Sequence, residues 1–101
     1  KYPMCSDSTH LISQTFGVYD AASGLALRGA FIIDPDGKLV ASEVNYFPVG
    51  RNSDELLRKF KAFKHVREYP AQVCPAKWTT GKKTLTPGKD LVGKVADFVG
   101  A

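Results

Sequence analysis

Two thiols, Cys5 and Cys74, and two imidazoles, His10 and His65, are the groups of this 101-residue chain best suited to covalent or metal chemistry. Their spacing excludes more than it suggests. There is no C-x-x-C pair and no Cys/His spacing of a zinc site, so neither a metal nor another cofactor is expected. So few cysteines do not make a secreted disulfide scaffold. A reducing, cytoplasmic setting is expected, in which any disulfide would be catalytic rather than structural. Cys74 falls just past a predicted helix end in a Pro- and Lys-rich segment, where exposure favours thiol reactivity; an incidental surface thiol is the simpler alternative. Cys5 follows Met4 in a short apolar stretch and reads as a small packed hydrophobe.

Two arginines stand out by position. Arg28 is expected on a strand among apolar neighbours, an expensive place for a charge without a purpose. A guanidinium there could lower the pKa of a thiol or make a structural ion pair. Arg51 follows a Gly50 turn just before a helix, where it could also simply bind a carboxylate.

The elements that must position these groups follow from pattern. Lys1–Cys5 reads as the stub of a strand. Ser6, Asp7 and Ser8 offer N-caps to a helix carrying Leu11, Ile12, Thr15 and Phe16, with Gly17 as its stop. After a polar loop, Asp20–Gly24, the stretch Leu25–Ile33 is β-like and ends in an apolar run suited to a strand buried on both faces. Asp34-Pro35-Asp36-Gly37 is a turn, and Leu39–Tyr46 returns as the second strand of a hairpin. Asn52 caps a long helix, with Glu55 in capping-box position. The apolar stripe of that helix is Leu56, Leu57, Phe60, Phe63 and Val66, its other face is charged, and Pro70 ends it. Residues 71–89 show little periodicity, and Leu91, Val92, Val95, Phe98 and Val99 suit a last short amphipathic helix. Ala30–Ile33 has a confident partner strand on one side only, and an apolar edge left open is an aggregation hazard. The chain therefore reads as incomplete. It does not begin with Met, which leaves room for an upstream segment.

Bulk properties narrow the function classes. With 44% hydrophobic and 24% charged residues the chain is neither disordered nor membrane-spanning. Its apolar runs fall far short of the ~20 residues that span a bilayer, and Lys1-Tyr2-Pro3-Met4 lacks the apolar core of a signal peptide. The net charge of +4 is spread over scattered lysines and arginines. No basic–aromatic interleaving of the kind that stacks bases is present, so nucleic acid is not an expected partner.

Five stretches resemble, in order, the peroxiredoxins, and specifically their bacterial alkyl hydroperoxide reductase branch of the AhpC type. They are Tyr2-Pro3-Met4 leading to Ser6-Asp7-Ser8-Thr9-His10; Gly24-Leu25-Ala26-Leu27-Arg28-Gly29 with Phe31-Ile32-Ile33-Asp34-Pro35; Pro48-Val49-Gly50-Arg51; Asp54-Glu55-Leu56-Leu57-Arg58; and Val73-Cys74-Pro75-Ala76-Lys77-Trp78. The likeness fades after about Lys94. It implies an α/β, thioredoxin-like (peroxiredoxin) fold of which this chain supplies the C-terminal half: residues 1–69 from the body of the domain and 70–101 as a tail carrying a resolving cysteine. It further implies a typical 2-Cys thiol peroxidase that reduces hydrogen peroxide and alkyl hydroperoxides through an intersubunit disulfide. A thioredoxin-like or flavoprotein disulfide reductase would reset it, and homodimers would assemble into a ring, commonly a decamer. Leu39–Tyr46 could pair with its twin across the dimer axis.

Residue by residue, Cys74 matches the resolving cysteine, because Ala76-Lys77-Trp78 follows it. Arg28 matches an active-site arginine that would stabilise the peroxidatic thiolate and the peroxide, and Arg51 a supporting arginine of the same pocket. His10 matches a position near subunit contacts, and Trp78 is expected to pack the tail against the body. The peroxidatic motif, Pro-x-x-x-Thr/Ser-x-x-Cys, departs from this sequence. Arg67 stands seven residues before Cys74 and Ala71 three before it, while Cys5 has too few residues upstream. The peroxidatic cysteine is therefore absent from this chain, and the isolated half would be inactive. An inactive peroxiredoxin fragment, an interaction module, or a chaperone-like holding function are the alternatives. The closing Asp97–Ala101 lacks the Tyr-Phe ending linked to overoxidation-sensitive members.

Overall fold

A computed structural model describes residues 1–99, with side chains described through residue 97, so the end of the closing Asp97–Ala101 segment lies outside the described residues. The chain divides into two compact units, Lys1–Arg51 and Asn52–Ala101.

In the first unit, Lys1–Cys5 forms no regular element and joins no strand among the described residues, so the strand expected there is not formed. Helix α1, Leu11–Thr15, follows. Asp7, rather than a residue adjoining the helix, serves its N-terminus: Oδ1 accepts from the Ile12 N–H at 2.8 Å, and Oδ2 accepts from the Ser13 N–H at 2.9 Å and from the Ser13 hydroxyl. These bonds satisfy donors that the first turn cannot. The hydroxyl bond, above all, holds the Asp7 carboxyl below its ordinary pKa. His10 takes a left-handed φ of 63° and stacks on Tyr19 at 4.8 Å, a structural role.

The loop expected at Asp20–Gly24 is the turn of a small hairpin, β1 (Tyr19–Asp20) with β2 (Leu25–Ala26). The single β-like run splits at Leu27, whose N–H still follows the β1–β2 register and donates to the Val18 carbonyl at 2.8 Å. Strand β3, Arg28–Ile33, then pairs antiparallel with β4, Leu39–Asn45, with Arg28 opposite Asn45 and a register shift between Ile32 and Ile33. Asp34 closes their turn by accepting from the Asp36 and Lys38 N–H groups, and Gly37 adopts φ 84°, which only glycine takes without strain. The core of this unit is thin, with Val18 and Ile32 at 6% and 9% exposure. On β4 the half-buried residues include Ala41, Glu43 and Asn45, while Val44 and Tyr46 face outward. Among the described residues β3 has a strand neighbour on one edge only, as the sequence pattern predicts.

In the second unit, helix α2 spans Ser53–Glu68. Asn52 caps it by accepting from the Asp54 and Glu55 N–H groups, acidic residues occupy its first turn and His65 and Arg67 its last. The acidic first turn and Arg67 in the last complement the helix dipole. The reciprocal half of the capping box does not form, because the Glu55 carboxylate turns instead to Arg58, with bonds of 2.6 and 2.8 Å. Residues 71–88, a stretch of little periodicity, fold back in a loop closed by an antiparallel bridge between Val73 and Leu85. Trp78 and Leu85 are the core here, at 3% and 8% exposure. The expected terminal helix is interrupted: a 3-10 turn at Lys89–Leu91 precedes α3, Val95–Val99, because Gly93 breaks the run with φ 74°.

Candidate active site

Arg28 and Arg51 line one concavity of about 490 Å³, together with Val18, Leu25, Leu27 and Phe47. Two crossed ties build it. From the first residue of β3, Arg28 Nε donates to the Phe47 carbonyl at 2.8 Å, across to the turn that follows β4. From the end of that turn, Arg51 Nη1 donates back to the Gly29 carbonyl at 2.9 Å. Asn45 steadies the same turn by donating to the Gly50 carbonyl at 3.0 Å. Each guanidinium is thereby oriented by a neutral acceptor, which fixes its direction without cancelling its charge. The surroundings are apolar and the charge is positive, so the arrangement favours an anion or a polarised oxygen.

Arg28 departs from the sequence expectation in one respect. It is not enclosed by apolar neighbours: it lies at the strand's start with an exposed side chain. Its place is explained by the Phe47 tie rather than by a burial penalty overcome. Gly29 is the tight point of the wall, where a Cβ would come within 2.9 Å of Phe31 Cε2 and 3.1 Å of Val18 Cγ1.

Cys74 belongs to the second unit and is half-buried, whereas Cys5 is exposed rather than packed. Burial pushes the Cys74 thiol above its ordinary pKa, and the charge of Arg58 pulls the other way. Cys74 Sγ makes a long approach, 3.9 Å, to the Ala62 carbonyl of α2. Trp78 packs as expected: its ring lies 5.0 Å from that of His65, and its indole N–H donates to the Lys82 carbonyl at 3.0 Å. The structure thus brings together the two arginines predicted to act together. The sequence reading missed the residues around Cys74, namely Glu55, Arg58, His65 and Gln72. The signals available were the i, i+3 pairing of Glu55 with Arg58 and the i, i+7 spacing of Arg58 with His65. Among the described residues no group of three His, Cys, Asp or Glu side chains could hold a metal, and no helix is long and apolar enough to cross a membrane.

The AhpC/TSA family pattern matches residues 1–42, and that of the C-terminal domain of 1-Cys peroxiredoxin matches residues 62–98. The alkyl hydroperoxide reductase C of Staphylococcus aureus is 53% identical over 94 residues, which cover 93% of this chain and 50% of that protein. Among solved structures, the reduced 2-Cys peroxiredoxin of Plasmodium vivax superposes with a TM-score of 0.79 at 35% identity, covering 84% of this chain and 43% of that one. The AhpC of Enterococcus faecalis does so with 0.69 at 44% identity, covering 74% and 45%. The chain belongs to the AhpC/TSA family of peroxiredoxins. It spans about half the length of the curated relatives it matches.

Proposed function

We propose that this chain is the resolving half of a typical 2-Cys thiol peroxidase that reduces hydrogen peroxide and alkyl hydroperoxides. The observation that carries the reading is the pair of guanidinium groups, Arg28 and Arg51, held in one concavity by bonds to backbone carbonyls. A peroxidatic thiol facing them, from a segment outside these 101 residues, would be held as thiolate by the opposite charges. The thiolate attacks one peroxide oxygen, the O–O bond breaks, and the departing oxygen takes a proton and leaves as alcohol or water. Arginine N–H groups stabilise the charge that develops on that oxygen. The sulfur, oxidised to a sulfenic acid, is then attacked by the Cys74 sulfur. An S–S bond forms and water leaves. A dithiol reductase of the thioredoxin or flavoprotein type supplies the two electrons and two protons that restore both thiols.

Homodimers joined through β4 and assembled into a decameric ring are the quaternary form this reading favours, and the outward-facing Val44 and Tyr46 on and beside that strand support it. A reducing, cytoplasmic setting suits a thiol that must be free at the start of each cycle.

The test treats the reduced, purified protein with one equivalent of hydrogen peroxide after its intact mass is determined. A mass about twice that of this chain, in line with usual domain sizes, and a disulfide joining Cys74 to a cysteine of another subunit are expected. A full-length protein that consumes peroxide without oxidising Cys74 overturns the resolving role. A mass matching these residues alone removes catalysis from the chain itself.

A further inference from the structure

The segment carrying Cys74 is tied to α2 on both sides. Before it, the Gln72 side-chain oxygen lies 2.7 Å from His65 Nε2 and accepts from the Thr84 hydroxyl at 2.9 Å. An amide oxygen only accepts, so His65 Nε2 is the donor. After it, the Trp78 carbonyl accepts from Arg58 Nη1 at 3.0 Å. The His65 ring is further held between those of Tyr69 and Trp78, at 4.8 and 5.0 Å. Arg58 itself cannot swing freely, because the Glu55 carboxylate holds its other side. On α2, Arg58, Ala62 and His65 stand at i, i+4 and i+7, so they form one stripe. The middle member of the stripe presents the carbonyl that Cys74 Sγ approaches. A thiol closed against a helix has to leave it before it can reach a sulfur in another subunit.

We propose that Arg58 and His65 are positioning residues for Cys74, the two ends of a clasp that closes the tail on α2 and whose opening presents the thiol to its partner sulfur. This rests on the resolving role proposed above. The clasp is a local equilibrium, separate from global unfolding, and it sets the fraction of time for which Cys74 is available. Arg58 acts on the thiol in two opposed ways. Its bond to Trp78 keeps the segment closed and so keeps the thiol desolvated, which raises its pKa, while its charge lowers it.

That opposition separates a clasp from a mere charge. The reduced chain is alkylated with iodoacetamide in native buffer and in urea, and each thiol is quantified on its own peptide, with exposed Cys5 as the internal standard. Cys74 is expected to react more slowly than Cys5 natively and to lose that protection in urea. Arg58→Lys keeps the charge, but an ammonium cannot fork onto Glu55 and still reach the Trp78 carbonyl. It is expected to speed native Cys74 alkylation about tenfold, the worth of one charge-assisted hydrogen bond. Its onset should also move to lower pH, with Cys5 unchanged. His65→Phe keeps the ring stack and loses only the donor, and is expected to speed Cys74 about threefold, as for a neutral hydrogen bond. Unchanged rate and pH onset in Arg58→Lys would overturn the clasp, as would native Cys74 reacting as fast as in urea. Should Arg58→Lys lose its helical signal, His65→Phe decides alone, and unchanged protection there overturns the proposal. Failure of the resolving role is a different result: clasp-dependent protection with no peroxide-induced disulfide at Cys74.

Discussion

Arg28 and Arg51 illustrate how a charge is prepared without being neutralised. Each donates one N–H to a backbone carbonyl, and those two bonds cross between the start of β3 and the turn after β4. A lysine at either place would supply a positive charge but not a planar fork that can hold a carbonyl and still offer aligned donors to a second group. Under the function proposed above, Arg28→Lys in the complete protein is expected to lower kcat/KM for peroxide about a hundredfold, the scale found when one preorganised donor to a developing anion is removed. Steady-state peroxide consumption measures it, and a loss of less than about threefold would mean that charge alone suffices. The two thiols differ by environment as well. Cys5 is exposed, while Cys74 is half-buried and its thiol is pushed up by that burial.

At the scale of elements, the second unit shows how a segment without periodicity becomes ordered. Residues 71–88 form neither helix nor strand; one bridge, Val73 with Leu85, closes the loop and Trp78 fills it. Trp78 is held at three points: its ring on His65, its indole N–H on the Lys82 carbonyl, and its backbone carbonyl on Arg58. Trp78→Ala removes the largest apolar group of this small core and is expected to cost about 3 kcal/mol. The loop should then open, so trypsin should cut after Lys82 or Lys83 much faster than in the parent chain. Equal cleavage rates would show that the bridge, not the indole, holds the loop. Helix α2 rests on firmer local terms: an Asn52 cap, acidic first turn and basic last turn agree with one another.

At the scale of the whole chain, two carboxylates, one in each unit, share a pH dependence. Asp7 is held below its ordinary pKa chiefly by the Ser13 hydroxyl, and Glu55 chiefly by its bond to Arg58. A carboxyl whose folded pKa is depressed contributes stability that is present above its unfolded pKa and lost as pH falls through the folded value. Both units should therefore weaken together as pH drops below the ordinary carboxylate range. Thermal melts followed by circular dichroism down to strongly acidic pH test this. Asp7→Asn should flatten the acid limb by removing the share of the first unit, and Glu55→Gln by removing that of the second. A limb unchanged in both variants would place the acid sensitivity elsewhere. The open edge of β3 and the outward Val44 and Tyr46 belong to this scale too, since a two-stranded sheet alone is marginal in water.

Local patterns were legible from residues alone. The Asp34–Gly37 turn, the Asn52 cap and the Pro70 stop rest on interactions within a few positions of chain, and the pairing of β3 with β4 rests on alternation around that turn. The one-sided pairing of β3 was legible as well, because the pattern offers Ala30–Ile33 a partner strand on one side only. So was the shared place of Arg28 and Arg51, through the resemblance of their flanking residues. What the sequence could not decide was whatever depends on groups distant along the chain meeting in space. Arg58 reads as one more charge on a solvated helix face until the Trp78 carbonyl, 20 residues on, arrives beside it. Asp7 reads as an N-cap until the chain bends so that its carboxylate serves the second and third residues of α1. The Leu25–Ile33 run reads as one strand, yet its first residues pair with β1 and its later ones with β4. In each case the partner lies five or more positions away along the chain, and periodicity carries no information about where such a partner stands. Which thiols this chain carries is written in its residues; that Cys74 lies half-buried beside the Ala62 carbonyl of α2 was decided only by the tertiary structure.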